Sequence, residues 1–96
     1  MTTARFLAPA EDEMLAAAYY ESQASGLGRE FLQKVRSAVS DIEEHPDRGP
    51  VADFGVRRRL VHRFPYAVLY KEDGDEVAIV AVMHLSRRPN YWIRRI

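Results

Sequence analysis

The sequence predicts an α+β domain in which a hairpin of two helices packs on one face of a mostly antiparallel sheet. Two observations predict this class. Three short strand-like segments follow one another between residues 57 and 84, and two short turns separate them. Two helical segments precede them, and the linker between these helices is short enough to make them antiparallel neighbours. With one apolar segment at the start, the predicted order is β-α-α-β-β-β.

The chain begins with a short strand and a first helix. Residues 4–7 are mostly apolar, and we expect them to form an edge strand. Pro9 suits the first helical position because it has no N–H to leave unpaired. Three carboxylates follow at residues 11–13, in the first turn, where they favour the helix dipole. We therefore predict one helix over residues 9–24.

The second helix is predicted over residues 28–44. The glycines in the segment 25–28 separate it from the first helix, and His45-Pro46 ends it because the residue before proline avoids the helical region. Apolar residues recur along it at spacings of three and four, which forms one continuous apolar face. These residues are Phe31, Leu32, Val35, Ala38, Val39 and Ile42.

The first of the three consecutive strands is strongly basic, with four arginines between residues 57 and 63. Side chains alternate between the two faces of a strand. One face would carry Arg57, Arg59, Val61 and Arg63, and the other Arg58, Leu60, His62 and Phe64. We expect His62 to pack between its two apolar neighbours.

The two later strands are apolar. A turn at Phe64-Pro65 leads into a strand over residues 66–71, and Asp73-Gly74 is a strong signal for the next hairpin turn. Residues 77–84 then form a nearly continuous apolar run, which predicts a strand covered on both faces. The tail beyond residue 84 is predicted to hold one helical turn after Pro89.

Composition narrows the class of protein. The 96 residues predict a single domain, 1–96, and the absence of cysteine excludes disulfides and thiolate zinc sites. Three scattered histidines without carboxylate companions predict no metal site, and we expect no cofactor. There is no apolar run long enough to cross a bilayer and no leader pattern, so we expect a cytoplasmic protein without a membrane partner.

The charges are divided between the two halves of a chain whose net charge is zero. Residues 1–56 contain five Lys/Arg and ten Asp/Glu, a net charge of −5, whereas residues 57–96 contain nine and four, a net charge of +5. This segregation predicts a basic surface for an anionic partner. Alternatively, the two halves pair their charges within the molecule, and the basic strand is a solvated edge that discourages association.

The order and spacing of these segments resemble the RelE/ParE superfamily of toxins from bacterial type II toxin–antitoxin systems over nearly the whole chain. The residues that carry the resemblance are Phe31-Leu32, residues 42–46, Gly49-Pro50, Arg58-Arg59-Leu60, residues 64–70, residues 77–82 with His84, and residues 87–92. Membership implies the same β-α-α-β-β-β fold and a cognate antitoxin that wraps and neutralises the toxin. A second copy of the chain is a further possible partner.

The superfamily divides by target, and each branch implies its own site. RelE-like toxins enter the ribosome and cleave mRNA without a metal, with basic side chains on the phosphate and other groups moving protons. The residues that match such a catalytic site are Arg58, Arg59, Arg87, Tyr91 and His84. ParE-like toxins inhibit DNA gyrase, and we interpret this inhibition as binding without a chemical step. The basic residues that match a target-binding surface are Arg57, Arg59, Arg63, Arg87 and Arg88.

One departure from the RelE-like pattern favours the ParE-like branch. RelE nucleases commonly carry arginine directly after the tyrosine that opens the strand following the basic one, and here Tyr66 is followed by Ala67. The missing guanidinium would weaken the hold on the scissile phosphate. We therefore expect a ParE-like toxin. The mRNA endonuclease is the first alternative, and an inactive member that only binds an antitoxin or DNA is the second.

Overall fold

The computed structural model describes residues 2–96 as a four-stranded sheet with three helices on one of its faces. The strands are β1 (Thr3–Phe6), β2 (Arg57–Leu60), β3 (Tyr66–Asp73) and β4 (Glu76–His84). The helices are α1 (Ala8–Glu13), α2 (Ala16–Gln23) and α3 (Leu27–Glu44), and short 3-10 turns occupy Asp53–Gly55 and Ile93–Arg95. The predicted α+β class is confirmed.

The strand order in the sheet is β1-β4-β3-β2. β1 lies at one edge, as predicted, and pairs in parallel with β4, whereas the other two pairings are antiparallel. The register between β3 and β4 shifts at one point, where Leu69 pairs with Ala81 and Tyr70 with Ile79. Val80 is the extra residue of this bulge, and such a bulge increases the local twist of the strand.

The predicted single helix over residues 9–24 is wrong, because the chain bends at Met14 and Leu15. The two resulting helices pack against different elements. α1 packs against β4 and buries Ala10, whereas α2 packs along α3. The periodicity of the sequence does not indicate this bend, because the bend follows from the positions of β4 and α3, against which α1 and α2 pack.

The junction between α2 and α3 depends on two glycines and one carboxylate. Gly26 has a left-handed φ of 85°, which glycine adopts without steric cost. The Glu21 carboxylate accepts the backbone N–H groups of Gly26 (2.9 Å) and Gly28 (3.0 Å), which lowers the pKa of Glu21. Gly28 itself lies against α2, where a β-carbon would come within 2.3 Å of the Ala17 carbonyl oxygen.

Both faces of the sheet are covered. On one face, α3 contributes the apolar residues that the sequence predicts, and the aromatic rings of Phe31, Phe64 and Tyr70 lie among them. On the other face, a smaller cluster forms around Trp92 of the C-terminal tail, with Val56, Ala67 and Val80. The prediction that the last strand is buried on both sides is confirmed, and the tail is what covers its second side.

β2 is shorter than the strand predicted from the sequence. It ends at Leu60, and the chain then turns through Arg63, which has a φ of 73°. Because of this turn, Phe64 joins the core on the helix side instead of lying on the same face as Leu60. The expectation that His62 packs is wrong, since His62 lies in the turn and is exposed.

The contact at Gly28 predicts a large effect from one methyl group. Gly28→Ala is expected to lower the free energy of unfolding by about 1–2 kcal/mol, because the added β-carbon meets a backbone oxygen and the two helices must move apart. This expected loss is net of the gain of about 1 kcal/mol that alanine brings in helix propensity. Urea unfolding measures it, with Ser37→Ala on the exposed face of α3 as the control. Unchanged or increased stability of Gly28→Ala would contradict the close packing.

Candidate functional site

Arg59, which the sequence places in both candidate sites, is held by the helix side of the fold. Its guanidinium forms an ion pair with Asp41 of α3 and donates hydrogen bonds to the Tyr70 hydroxyl (2.8 Å) and the His45 carbonyl (3.3 Å). Only 15% of its side chain is exposed. Arg59 therefore joins β2 to the end of α3, and its hydrogen-bonding groups are largely engaged within the protein.

Two further arginines of the predicted target-binding surface are also tied to their surroundings. Arg57 donates to the carbonyls of Asp47 (3.0 Å) and Gly49, so it holds the loop after α3. Arg63 forms an ion pair with Glu30 near the start of α3, although 58% of its side chain remains exposed. The ion pairs of Arg63 with Glu30 and of Arg59 with Asp41 support the alternative in which the acidic and basic halves pair within the molecule.

The remaining predicted arginines are exposed and have no carboxylate partner within the described residues. Within residues 2–96, Arg58, Arg87 and Arg88 are exposed and form no ion pair. Arg58 lies on the face of β2 opposite Arg59, because side chains alternate along the strand. Arg87 follows β4, and its guanidinium carbon lies 3.9 Å from the centroid of the Tyr91 ring.

Arg58 and Arg87 line the same groove, on the sheet face opposite the helices. Its volume is about 570 Å³, and the tail, the loop before β2 and the ends of β2–β4 form its walls. Three large apolar side chains of this groove stay exposed, namely Val51 (52%), Leu60 (61%) and Leu85 (46%). The groove is therefore an apolar depression beside free positive charge.

Tyr91 is hydrogen-bonded to a carboxylate for which the sequence predicts only a role in the first turn of a helix. Its hydroxyl donates to Oε2 of Glu13 over 2.5 Å. Burial raises the pKa of Tyr91 well above its ordinary value, and the hydrogen bond to Glu13 and the charge of that carboxylate raise it further. A phenol with a raised pKa is a poorer proton donor and is not poised to act as a base near neutral pH.

The same carboxylate hydrogen-bonds to the edge of β4 that β1 leaves unpaired. β1 pairs only with residues 76–79, so the backbone of β4 beyond Ile79 lacks a neighbouring strand on that side. Glu13 accepts the N–H of Val82 (3.0 Å), and Arg95 donates to the carbonyl of Val80 (3.0 Å). Glu13 and Arg95 also form an ion pair (2.8 Å), which raises the pKa of Arg95.

His84 lies at the end of β4 with its ring 5.0 Å from that of Tyr66. Its Nδ1 accepts the backbone N–H of Ser86 (3.0 Å) and lies 2.7 Å from the Ser86 hydroxyl. Because a backbone N–H can only donate, Nδ1 carries no proton here, and the proton of the neutral ring is on Nε2. The lone pair that a general base needs is thus already occupied.

Nothing in the sequence marks Glu13 and Arg95 as a pair that the fold depends on. Glu13 was one of three carboxylates in a row, and Arg95 one of two terminal arginines, so neither stood out. The two residues are 82 positions apart in the chain, so no local sequence pattern indicates that they interact.

Two classes of feature are missing from the described part of the chain. In residues 2–96, no group of three or more His, Asp or Glu side chains is close enough together to hold a metal ion. None of the helices in the same range combines the length and the apolar character needed to cross a membrane.

The contacts of Glu13 predict that its charge stabilises the fold. Glu13→Gln is expected to lower the free energy of unfolding by about 2–3 kcal/mol, because the amide cannot satisfy both Arg95 and the Tyr91 hydroxyl as an acceptor. Chemical denaturation measures the loss. Glu11→Gln, on the exposed side of the same helix, is the matched control and is expected to change little. Equal effects from the two substitutions would show that the network is not formed.

The raised pKa of Tyr91 predicts a pH dependence of stability. In the folded protein Tyr91 ionises at a higher pH than its ordinary value of 10.0, so its contribution is fully present below about pH 10 and is lost as the pH rises above it. The unfolding free energy of the wild type is expected to fall more steeply above pH 10 than that of Tyr91→Phe. Parallel curves for the two proteins between pH 8 and 11 would contradict the buried hydrogen bond.

Comparison with known proteins identifies the family. Residues 4–89 match the family described as the ParE toxin of type II toxin-antitoxin systems, parDE. No curated protein sequence matches the chain. A solved structure described as the chromosomal ParDE TA system from P. aeruginosa has a similar fold, with a TM-score of 0.74 and 17% sequence identity over 88% of this chain and 96% of that chain. The resemblance predicted from the sequence is confirmed, and the chain belongs to the ParE toxin family of type II toxin–antitoxin systems.

Proposed function

We propose that this protein is a ParE-like toxin that inhibits DNA gyrase by binding it, without a chemical step of its own, and that a cognate antitoxin neutralises it. The proposed site of action is the cytoplasm, where gyrase and DNA are found. The family membership supports the toxin assignment. The choice of a binding mechanism over cleavage rests on the state of the candidate proton-transfer groups.

The observation that carries this choice is that both of these groups are committed to structural hydrogen bonds. The Tyr91 hydroxyl donates to Glu13, and the Nδ1 atom of His84 accepts from Ser86. Metal-free cleavage of RNA needs a base for the 2′-OH proton and an acid for the leaving oxygen. The Tyr91 hydroxyl and the Nδ1 lone pair of His84 are therefore already engaged in the described structure, whereas a binding surface needs no proton-transfer group.

The environment of Ala67 supports the same choice. This residue stands where RelE-like nucleases carry arginine, and it is completely buried in the cluster around Trp92. An arginine could not occupy this position without displacing the tail, because buried sites of this kind are close-packed. The fold is thus built around a small side chain at a position where cleavage would use a cation.

The proposed target-binding surface consists of the exposed arginines Arg58, Arg87 and Arg88. Arg63 is also exposed, but it pairs with Glu30 near the start of α3. Exposed cations that form no internal ion pair are free to attract an acidic partner. Arg57 and Arg59 would support this surface from behind, since their guanidinium groups hold the loop and α3 in place.

A second candidate, the RelE-like endonuclease, has one observation in its favour. Arg87 stacks on the ring of Tyr91, and both lie near the end of β4 where His84 is found. This places a cation near a phenol and an imidazole. Cleavage would require Tyr91 to leave Glu13, or His84 to leave Ser86, when RNA binds.

Pulse labelling after induction of this chain in bacteria separates the two candidates. Thymidine incorporation is expected to fall within minutes while methionine incorporation persists. In vitro, the purified protein is expected to inhibit gyrase supercoiling and to leave mRNA on ribosomes intact. An early loss of protein synthesis would instead support the endonuclease, and no effect on either label would support an inactive family member.

Two variants assign the activity to residues. Arg58→Ala combined with Arg87→Ala is expected to reduce gyrase inhibition at least about tenfold, because two free cations are removed from the surface. Tyr91→Phe is expected to inhibit gyrase as the wild type does, since it loses only a structural hydroxyl. The melting temperature of each variant is the control for folding. A fully folded Tyr91→Phe protein without toxicity would favour the endonuclease.

A further inference from the structure

The turn that precedes β2 presents an aromatic side chain in a backbone conformation that aromatic residues rarely adopt. Phe54 has a φ of 62° and a ψ of 23°, and Gly55 after it has a φ of 74°. The backbone N–H of Val56 donates to the carbonyl of Asp53 (3.3 Å), so residues 53–56 form a type I′ turn. Such a turn favours glycine, asparagine or aspartate at its first central position, where a bulky side chain is strained.

Phe54 is not a residue that the core requires. Its side chain is 54% exposed, and among residues 2–96 its ring contacts one other aromatic ring, that of Trp92, edge-on at a centroid distance of 6.4 Å. It lies outside both of the apolar clusters that cover the described sheet. A strained backbone conformation at an exposed position is typical of residues that are kept for function.

We infer that Phe54 is an anchor residue for the target, and that its ring enters an apolar pocket on DNA gyrase whose rim carries a carboxylate for Lys71. The inference rests on the proposed function, because it adds a residue to the target-binding surface and names the chemistry of the pocket that receives it. The strained turn then has a function, which is to hold an aromatic ring outside the core.

The turn presents this ring rigidly. The N–H of Ala52 donates to the carbonyl of Val56 (2.8 Å) and closes the loop, and the buried side chain of Val56 packs in the cluster around Trp92. The edge contact with Trp92 orients the Phe54 ring. An ordered ring loses little conformational entropy when a partner binds it, and aromatic anchors often contribute the largest part of the binding free energy at an interface.

Phe54 also adjoins the proposed target-binding surface. Trp92, which its ring contacts, lines the groove that contains Arg58 and Arg87. The anchor and these two exposed cations therefore lie on the side of the sheet opposite the helices. One partner can contact all three.

The charges around the turn favour a protein pocket over a nucleic acid. Lys71 lies beside the turn, because a β-carbon at Gly55 would be 3.6 Å from its Cε atom, and it forms no ion pair within the described residues. A carboxylate on a partner protein would pair with this ammonium group. Asp53, directly before Phe54, is exposed. If the ring were inserted between the bases of DNA, this carboxylate would approach the phosphates and oppose binding.

Replacement of Phe54 by asparagine separates a role in binding from a role in stability. Asparagine suits the first central position of a type I′ turn, so Phe54→Asn is expected to raise the melting temperature by about 3 °C. The same variant is expected to weaken binding to purified gyrase at least about thirtyfold, measured by surface plasmon resonance on the immobilised enzyme. Phe54→Tyr keeps the ring and is expected to retain most of the affinity.

Two further variants complete the experiment. Leu15→Asn is the matched control, because it removes another exposed apolar side chain (72%) at the bend between α1 and α2. It is expected to bind gyrase as the wild type does. Lys71→Glu tests the rim of the pocket and is expected to weaken binding about tenfold, with a smaller dependence of the affinity on salt than in the wild type.

The outcomes separate the inference from the proposed function. If the wild type and Phe54→Asn bind gyrase equally well, or if Leu15→Asn weakens binding as much as Phe54→Asn does, the inference is overturned and the toxin assignment stands. The inference is also overturned if Phe54→Asn lowers the melting temperature, since Phe54 would then be kept for stability. Retained affinity for gyrase with lost affinity for the antitoxin or for duplex DNA would assign the ring to that partner and overturn it likewise. If the wild type does not bind gyrase, the proposed function fails and the inference fails with it.

Discussion

The structure depends on how the unpaired edge of β4 is satisfied. β4 is nine residues long and lies inside the sheet, but its parallel neighbour β1 spans only four. The backbone groups of Val80 and Val82 therefore need other partners, since unpaired backbone groups in a protein interior are costly. Glu13 and Arg95 supply them from the end of α1 and from the tail. Their ion pair fixes the bend after α1 and holds the tail against the far face of the sheet.

Two further ion pairs act at the opposite edge. Arg59 joins β2 to α3 through Asp41 and the Tyr70 hydroxyl, and Arg63 joins the following turn to Glu30. Both pairs, like the one between Glu13 and Arg95, link the acidic first half of the chain to the basic second half. Some of the charges that the sequence divides between its two halves thus form ion pairs that hold the helices on the sheet. Partly buried pairs of this kind orient the elements that they join.

The arginines that form no ion pair within the described residues make up the proposed binding surface. Arg58, Arg87 and Arg88 are exposed, and the first two lie beside apolar side chains that remain uncovered. The groups that could have moved protons are those that the fold does use, namely Tyr91 and His84. This partition is what supports a toxin that works by binding.

The class of fold could be predicted from local patterns, because each pattern reports on burial. The apolar period of α3 and the continuous apolar run of β4 each require a covering layer, and their order leaves few ways to provide it. All the arginines that form or support the proposed site were also named from the sequence, in one or both of the two candidate sites. The sequence did not indicate which of these arginines pair within the fold and which stay exposed. Arg58 and Arg59 are adjacent arginines, and only the pleat of the strand directs their side chains to opposite faces. The bend between α1 and α2 and the pairing of Glu13 with Arg95 likewise depend on residues brought together from opposite ends of the chain, which only the folded structure specifies.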